Sequence, residues 1–469
     1  MKLALKKLTK AQLIDIVIEQ GERLEQQAKR IEDLVGRIEE LERKMACSAS
    51  PFSKGKGKGR KKKPGRKAGK GPFTNRQPPE VKSSDVVENL KAPLGSGECP
   101  GCGATMDVEV EVATTIDVPE EPQRLVRRFE VEVGTCPICG GKVRGTHPDL
   151  PHDQCGATAH RVGDTVAAQA FAMHYHSGMT LRKASEAIGV MTGITMTQGG
   201  LTLRAKQLSK SGGVLGRIYA GLRGEIKGSP VVNTDDTGWR TGGKPSYLMG
   251  FFTPTLAVYQ IRDRHRHEEV LEVIGALFAG ILGTDRGTSY EAKALVEMRQ
   301  QKCLSHLLKN LSTVEEMKRG RAGEFTRELK RILRSGLKLW QGYRAGKIGQ
   351  AAYKKRGEKL QEVLDYHLRD RVLSDADNQR MLDGIGIQND KGRVLLFLEH
   401  PEVEPTNNRA ERGLRPAVIA RKVSQCSKNA TGAKIYETMK SITATLVLRG
   451  QNVASGLANL MRGGAMPAA

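Results

Sequence analysis

Between Leu8 and Met45 the apolar positions keep a seven-residue rhythm. Val17, Leu24, Ile31, Ile38 and Met45 form one seam, and Leu13, Gln20, Gln27, Leu34 and Leu41 form the second, three residues on. Sustained over roughly four heptads with Glu, Lys and Arg on the flanks, this pattern predicts a coiled coil, whose polar seam residues can set register and strand number. An amphipathic helix packed on its own chain is the alternative. The polar linker that follows favours self-association, so a homo-oligomer of at least two chains is expected.

The pattern then changes. VEVEV and RRFEVEVG alternate with the period of strands. Gly163 to Leu208 is helix-rich, and its short helices, divided by a Gly-containing turn, fit either a helix-turn-helix or a packed helical subdomain. His174 and His176 are two apart, do not share a helix face, and are not expected to bind a metal. From Gly228 strands dominate. VVNTDDTGW carries adjacent acids, SYLMGFF and LAVYQIR predict a hairpin around Thr253-Pro254, and GILGTD ends in another acid after the helical stretch HEEVLEVIGALF. Gln300 to Asp383 reads as long, charged helices, an all-helical insertion. In HPEVEPTNNRAERGLRP, Thr406 is the expected N-cap. A helix from there places Asn407, Glu411 and Arg415 largely on one face, an arrangement that fits an ion pair as well as a ligand set. The tail after Gly450 is expected to be weakly structured.

Charge sharpens the picture. The 469 residues carry 76 Lys and Arg against 52 Asp and Glu, a formal charge of +24. Such an excess favours polyanionic partners, nucleic acid first. Eleven Lys or Arg and no acid fall between Pro51 and Pro79, among six Gly and five Pro. This stretch cannot bury apolar surface and reads as a disordered basic tether that neutralises DNA phosphates through Lys61, Lys62, Lys63, Arg66 and Lys67. No apolar run is long enough to span a membrane, and MKLALKKLTK makes a poor signal peptide. A phosphate loop of the nucleotide-motor type is absent from the sequence.

Four of the eight cysteines form two C-x-x-C pairs, Cys99-Pro-Gly-Cys102 and Cys136-Pro-Ile-Cys139, each followed by Gly. Two thiolates at this spacing reach one tetrahedral ion, and the glycine allows the tight turn of a knuckle. A zinc ribbon with one structural Zn²⁺ is expected, four thiolates leaving no open position. Cys155, His147 and His152 are less regularly spaced substitutes.

The order of motifs resembles the transposase of the insertion-sequence 66 family of bacterial mobile elements. After the coiled coil, the basic KPGRKAGKG and the paired knuckles come Asp235-Asp236-Thr237-Gly238-Trp239, then Thr284-Asp285 before Tyr290. Cys303-Leu304-Ser305-His306-Leu307-Leu308 follows. The last motif, Pro405-Thr406-Asn407-Asn408-Arg409-Ala410-Glu411-Arg412, runs on to Leu414-Arg415-Pro416 and Arg421-Lys422. The resemblance covers nearly the whole chain, and DDTGW and PTNNRAERGLRP are its most specific parts.

The resemblance implies a multidomain α+β chain whose catalytic domain is ribonuclease-H-like α/β with an all-helical insertion. Its acidic triad falls on Asp235, Asp285 and Glu411, spaced 50 and 126 residues apart. Asp236 stands where the family commonly has Glu, so the choice between adjacent aspartates stays open. Asp236, Trp239, His306, Asn407 and Arg415 are the expected supporting residues. Cys303-x-x-His306 looks like a Cys/Asp-x-x-His element of helical-insertion transposases, expected to position groups near the active site, not to hold zinc. On this reading the chain divides into a coiled-coil helix (1–47), basic linker (48–92), zinc ribbon (93–156) and helical DNA-binding subdomain (157–227). The catalytic core follows in two parts (228–311 and 391–469) around the insertion (312–390).

Three carboxylates supply hard oxygen ligands for two Mg²⁺ or Mn²⁺ ions about 4 Å apart, which can serve both oxygens of an in-line phosphoryl displacement. The expected reaction is cleavage at the element's ends and strand transfer into target double-stranded DNA. Arg412 and Arg415 would touch backbone phosphate. Accessory transposition proteins are possible partners, and a cytoplasmic, nucleoid-associated location in a bacterium is expected. The competing readings are a non-catalytic zinc-ribbon DNA-binding protein derived from a transposase, and an unrelated zinc-ribbon nuclease.

Overall fold

The computed structural model describes residues 125–144, 147 and 162–468 except 319, 370, 371 and 425, together with 20, 21, 23–27 and 30. Contacts divide the chain into two units, Met1–Asp117 and Val118–Ala469. In the first unit the described residues are helical and exposed, Leu24 among them. Most seam positions of the expected coiled coil, the basic linker, Cys99 and Cys102 lie outside the described residues. Among the described residues, no helix is long and apolar enough to cross a membrane.

In the second unit, strands β1 (Val133–Thr135) and β2 (Lys142–Arg144) pair antiparallel. The turn between them closes at Cys136–Gly140, where the Gly140 amide donates to the Cys136 carbonyl at 3.0 Å. Gly140 takes φ +67°, a conformation that favours glycine.

Four helices follow: α1 (Asp164–Phe171, continued by a π turn at Ala172–His176), α2 (Leu181–Thr192), α3 (Gln198–Ser209) and α4 (Val214–Lys227). Thr180 and Thr197 cap α2 and α3 by accepting the amides of Lys183 and Gly200. Gly193 ends α2 in the left-handed conformation, the glycine turn expected between the two helices.

The central sheet has five strands, β3 (Val231–Thr241), β4 (Lys244–Phe252), β5 (Ala257–Arg262), β6 (Ile281–Thr284) and β7 (Gln300–Lys302), in the order β5-β4-β3-β6-β7. The β3–β4–β5 half is antiparallel and the β3–β6–β7 half parallel. Gly242 and Gly243, both at positive φ, make the two-residue loop that lets β3 turn into β4. Helix α5 (His267–Ile274) crosses over to β6. A mixed five-stranded sheet with helices is compatible with a ribonuclease-H-like domain.

Strand β7 corrects the expectation of helix from Gln300 onward. Gln300, Gln301 and Lys302 are fully buried and polar, so no apolar alternation marks them as a strand. Their side chains bond internally: Gln300 donates to the Tyr290 and Leu295 carbonyls, and Gln301 to those of Lys302 and Val394. Between β6 and β7 lies a short helix, α6 (Lys293–Val296).

Two hydrophobic cores result. One joins the sheet to α1, α3, α4, α5 and the C-terminal helices. The other is built by α7 (Leu304–Glu316), α8 (Glu324–Arg344), α9 (Gln350–His367), α10 (Ala376–Asp390) and α11 (Leu396–Glu399). Helix α12 (Asn408–Ser424) then returns to β3 and β4, and α13 (Ala430–Leu448), buried on almost every side, packs on β5. The tail is not weakly structured. Val453–Met461 forms helix α14, capped by Asn452 and burying Leu457, Leu460 and Met461.

Candidate active site

Asp235 lies in β3 opposite Gly250 of β4. Asp285 immediately follows β6, and its Oδ1 accepts the Gly287 amide at 2.8 Å. A Cβ on Gly287 would come within 2.9 Å of that oxygen, so any other residue there would push the carboxylate aside. Glu411 sits in the first turn of α12, which begins at Asn408, one residue later than a Thr406 cap would place it.

Asn407 draws these pieces together. It is 1% exposed; its Nδ2 donates to the Thr234 carbonyl at 2.8 Å, and its Oδ1 accepts from Asn233 Nδ2 at 3.1 Å. Its backbone amide donates to Cys303 Sγ at 3.1 Å. Cys303 in turn donates its amide to the Thr284 carbonyl, and Leu304 donates to that of Pro405. The strand bearing Asp235, the residue before Asp285 and the turn before Glu411 therefore share one hydrogen-bonded node.

The electrostatics agree with this placement. Burial, and then the negative charges of Asp285, Asp236 and Glu411, push the Asp235 carboxyl up to about 7, against an opposing hydrogen bond from the Asp236 amide. Burial also raises Asp236; His265, whose Nε2 lies 3.3 Å from its Oδ1, opposes the shift, and Asp285 adds to it. Tyr290, fully buried, brings its hydroxyl to 3.5 Å from Thr234 Oγ1. Behind Asp285, Lys302 is wholly buried and reaches Glu291 at 2.7 Å and Thr284 Oγ1 at 3.2 Å.

A second group adjoins Glu411. Cys303 is 1% exposed at the start of α7, with His306 one turn on. His306 Nε2 lies 3.8 Å from Glu411 Oε1, and ligand atoms of Cys303, His306 and Glu411 lie within 4.8 Å of one another.

Not every expected residue joins the acids. Trp239 is buried against Tyr436, centroids 4.9 Å apart, and donates Nε1 to Ser427, so it serves the core of the domain. Asn407 is buried whereas Arg412 and Arg415 are exposed on α12, so the single shared face expected for Asn407 and Arg415 divides into an inner anchor and an outer basic surface. His265 and Asn233 were not singled out by sequence: one lies in the charge-rich DRHRHEE, the other among apolar strand residues. Asn233 beside a strand-borne acid pair was the signal available.

The four acids offer hard oxygen donors whose mutual repulsion a divalent cation would relieve, so the residues present fit such an ion. At the β1–β2 turn the backbone amides of Cys139 and Ile138, with the Cys139 thiol, hold the Cys136 thiol below its ordinary range. The sequence profile described as Transposase IS66 family matches residues 160–435, more than half of the chain and all the acids above. No curated protein matches the chain.

Proposed function

The chain belongs to the IS66 family of transposases, and from that premise we propose that Asp235, Asp285 and Glu411 form a DDE triad that cuts the ends of a mobile element and joins them to target DNA. The observation that carries this reading is the buried Asn407–Cys303 node, whose hydrogen bonds tie the strand of Asp235, the residue before Asp285 and the turn before Glu411 to one another. Asp236 answers to His265 and Asp285 and takes a supporting role.

Asp235, Asp285 and Glu411 would hold Mg²⁺ or Mn²⁺, two ions per site. Such ions, when bound, activate an attacking oxygen and stabilise a leaving one. In the cut, a water oxygen bonds to phosphorus while the 3′-oxygen leaves and gains a proton. In the join, that 3′-hydroxyl loses its proton as it bonds to a target phosphorus, and the target's own 3′-oxygen leaves. The protein orients these steps: Asn407 fixes α12 against β3, and Gly287 sets the Asp285 carboxylate. Arg412 and Arg415, exposed on α12 after Glu411, would contact a phosphate backbone and position it without reading sequence.

The rest of the chain serves DNA binding in this reading. The Cys99, Cys102, Cys136 and Cys139 thiolates would share one structural Zn²⁺, the basic tether would neutralise phosphates, and the N-terminal heptads would pair protomers. The test is a joining assay with labelled element-end DNA, Mg²⁺ and a supercoiled plasmid. Wild type is expected to join and Asp235→Asn to lose joining by about a thousandfold or more while binding DNA. Joining retained by Asp235→Asn overturns the triad. Binding without joining by wild type, even with cell extract added, favours a non-catalytic DNA-binding protein.

A further inference from the structure

We propose that Cys303, His306 and Glu411 form a binding site for a thiophilic divalent cation of the zinc class, which shares Glu411 with the oxygen-only acid cluster but differs from it in donor chemistry. The sequence places Cys303 and His306 three residues apart but gives no third donor. The fold supplies it from 105 residues further on, where the first turn of α12 brings the Glu411 carboxylate to the pair.

Three lines of geometry support the site. Zinc bonds of about 2.3 Å to sulfur and 2.0–2.1 Å to nitrogen and oxygen require ligand atoms some 3–4 Å apart. The three donors lie within 4.8 Å of one another, and His306 and Glu411 are half-exposed, free to close that distance by side-chain rotation. Cys303 Sγ already accepts the Asn407 amide at the start of a 13-residue helix, so the sulfur is held in place beside the first turn of α12. His306 turns Nε2 toward Glu411, and its Nδ1, shielded from water, makes no hydrogen bond that metal binding would have to break.

The donor set decides which ion. A thiolate and an imidazole select zinc-like metals, whereas Mg²⁺ demands an oxygen shell and retains its waters. Three protein ligands leave a fourth tetrahedral position for water or a substrate oxygen. A zinc ion here would also withdraw Glu411 from the acid cluster. That consequence rests on the triad reading; the binding does not.

The test uses the full chain, stripped of metal and titrated with Co²⁺ up to a small excess. A thiolate–cobalt charge-transfer band reports sulfur-bearing sites, and oxygen-only sites give none. The paired cysteine knuckles contribute the same background to every variant. Wild type is expected to take up one more thiolate-bound equivalent than Cys303→Ala, and His306→Gln and Glu411→Gln to weaken that equivalent at least tenfold. Identical uptake and spectra in wild type, His306→Gln and Glu411→Gln overturn the proposal, and these two half-exposed substitutions decide it even if Cys303→Ala fails to fold. Asp235→Asn separates the two readings: it is expected to keep the extra equivalent, and joining lost in Asp235→Asn without any extra equivalent in wild type would sink the zinc site and leave the triad standing.

Discussion

Asn407 and Asn233, 174 residues apart in sequence, share a buried hydrogen bond of 3.1 Å, two residues before Asp235 on one side and four before Glu411 on the other. The same Asn407 side chain holds the Thr234 carbonyl. Replacing Asn407 with Ala strands both partners in the interior, where each lost bond costs about 1–2 kcal/mol. We expect Asn407→Ala to lower stability by about 2–4 kcal/mol in chemical denaturation. Joining should fall further than the folded fraction at the assay temperature. Joining that tracks only the folded fraction would remove Asn407 from the positioning of Glu411.

Asp235 predicts an unusual pH response. Its carboxyl, held at about 7 in the folded protein, sits well above the roughly 3.9 of an unfolded chain. The folded state therefore binds the proton more tightly. This contribution to stability is complete below about pH 4 and is lost as pH rises through about 7. Asp235→Asn, which cannot ionise, should gain on the order of 2 kcal/mol over wild type at pH 8 without divalent metal, and nothing at pH 4. Mg²⁺ should raise the wild-type unfolding midpoint at pH 8 more than that of Asp235→Asn. Equal midpoints for the two proteins across this range would argue against repulsion within the acid cluster.

The acids were legible because each sits beside a recognisable backbone event: DDTGW within a strand, Asp285 at the end of GILGT, Glu411 in a helix's first turn. What holds them together was not. Asn407, Asn233, Gln300, Gln301 and Lys302 are polar residues buried by partners far away in sequence, and local patterning assigns polar residues to the surface. The same blindness hid β7 inside an expected helix and left Cys303-x-x-His306 without Glu411. Trp239 failed differently: its neighbours in sequence are at the site, but its ring belongs to the core with Tyr436.

Glu291 gives the opposite acid response. Burial works against its charge, but the hydrogen bond and charge of Lys302, a bond from Gln388 and the charge of Arg393 outweigh it and hold the carboxyl at about 2. A depressed folded value means stability present above the unfolded value near 4.3 and lost as pH falls through about 2. Lys302 and Arg393 are almost completely buried, so Glu291→Gln takes from both cations the carboxylate that they touch. Because Glu291 itself is partly exposed, we expect a loss of about 2–4 kcal/mol, below the full value for a buried pair. Pairing it with Lys302→Met should recover part of that loss. A double variant no better than the single would mean that Lys302 contributes packing rather than charge.

The basic tether makes the last prediction, one about salt. Each phosphate neutralised by Lys or Arg releases condensed counterions, and the logarithm of affinity falls with the logarithm of salt by about 0.9 per contact on duplex DNA. Replacing Lys61, Lys62, Lys63, Arg66 and Lys67 together by Gln should therefore flatten the slope by about 2–4 if roughly half or more of them touch phosphate. Binding to element ends and to unrelated DNA should weaken alike, because phosphate contacts carry no sequence information. The measurement is a fluorescence-anisotropy titration of both duplexes at several salt concentrations. An unchanged slope would assign these residues to solubility alone, and a loss confined to element ends would mean that the tether reads sequence.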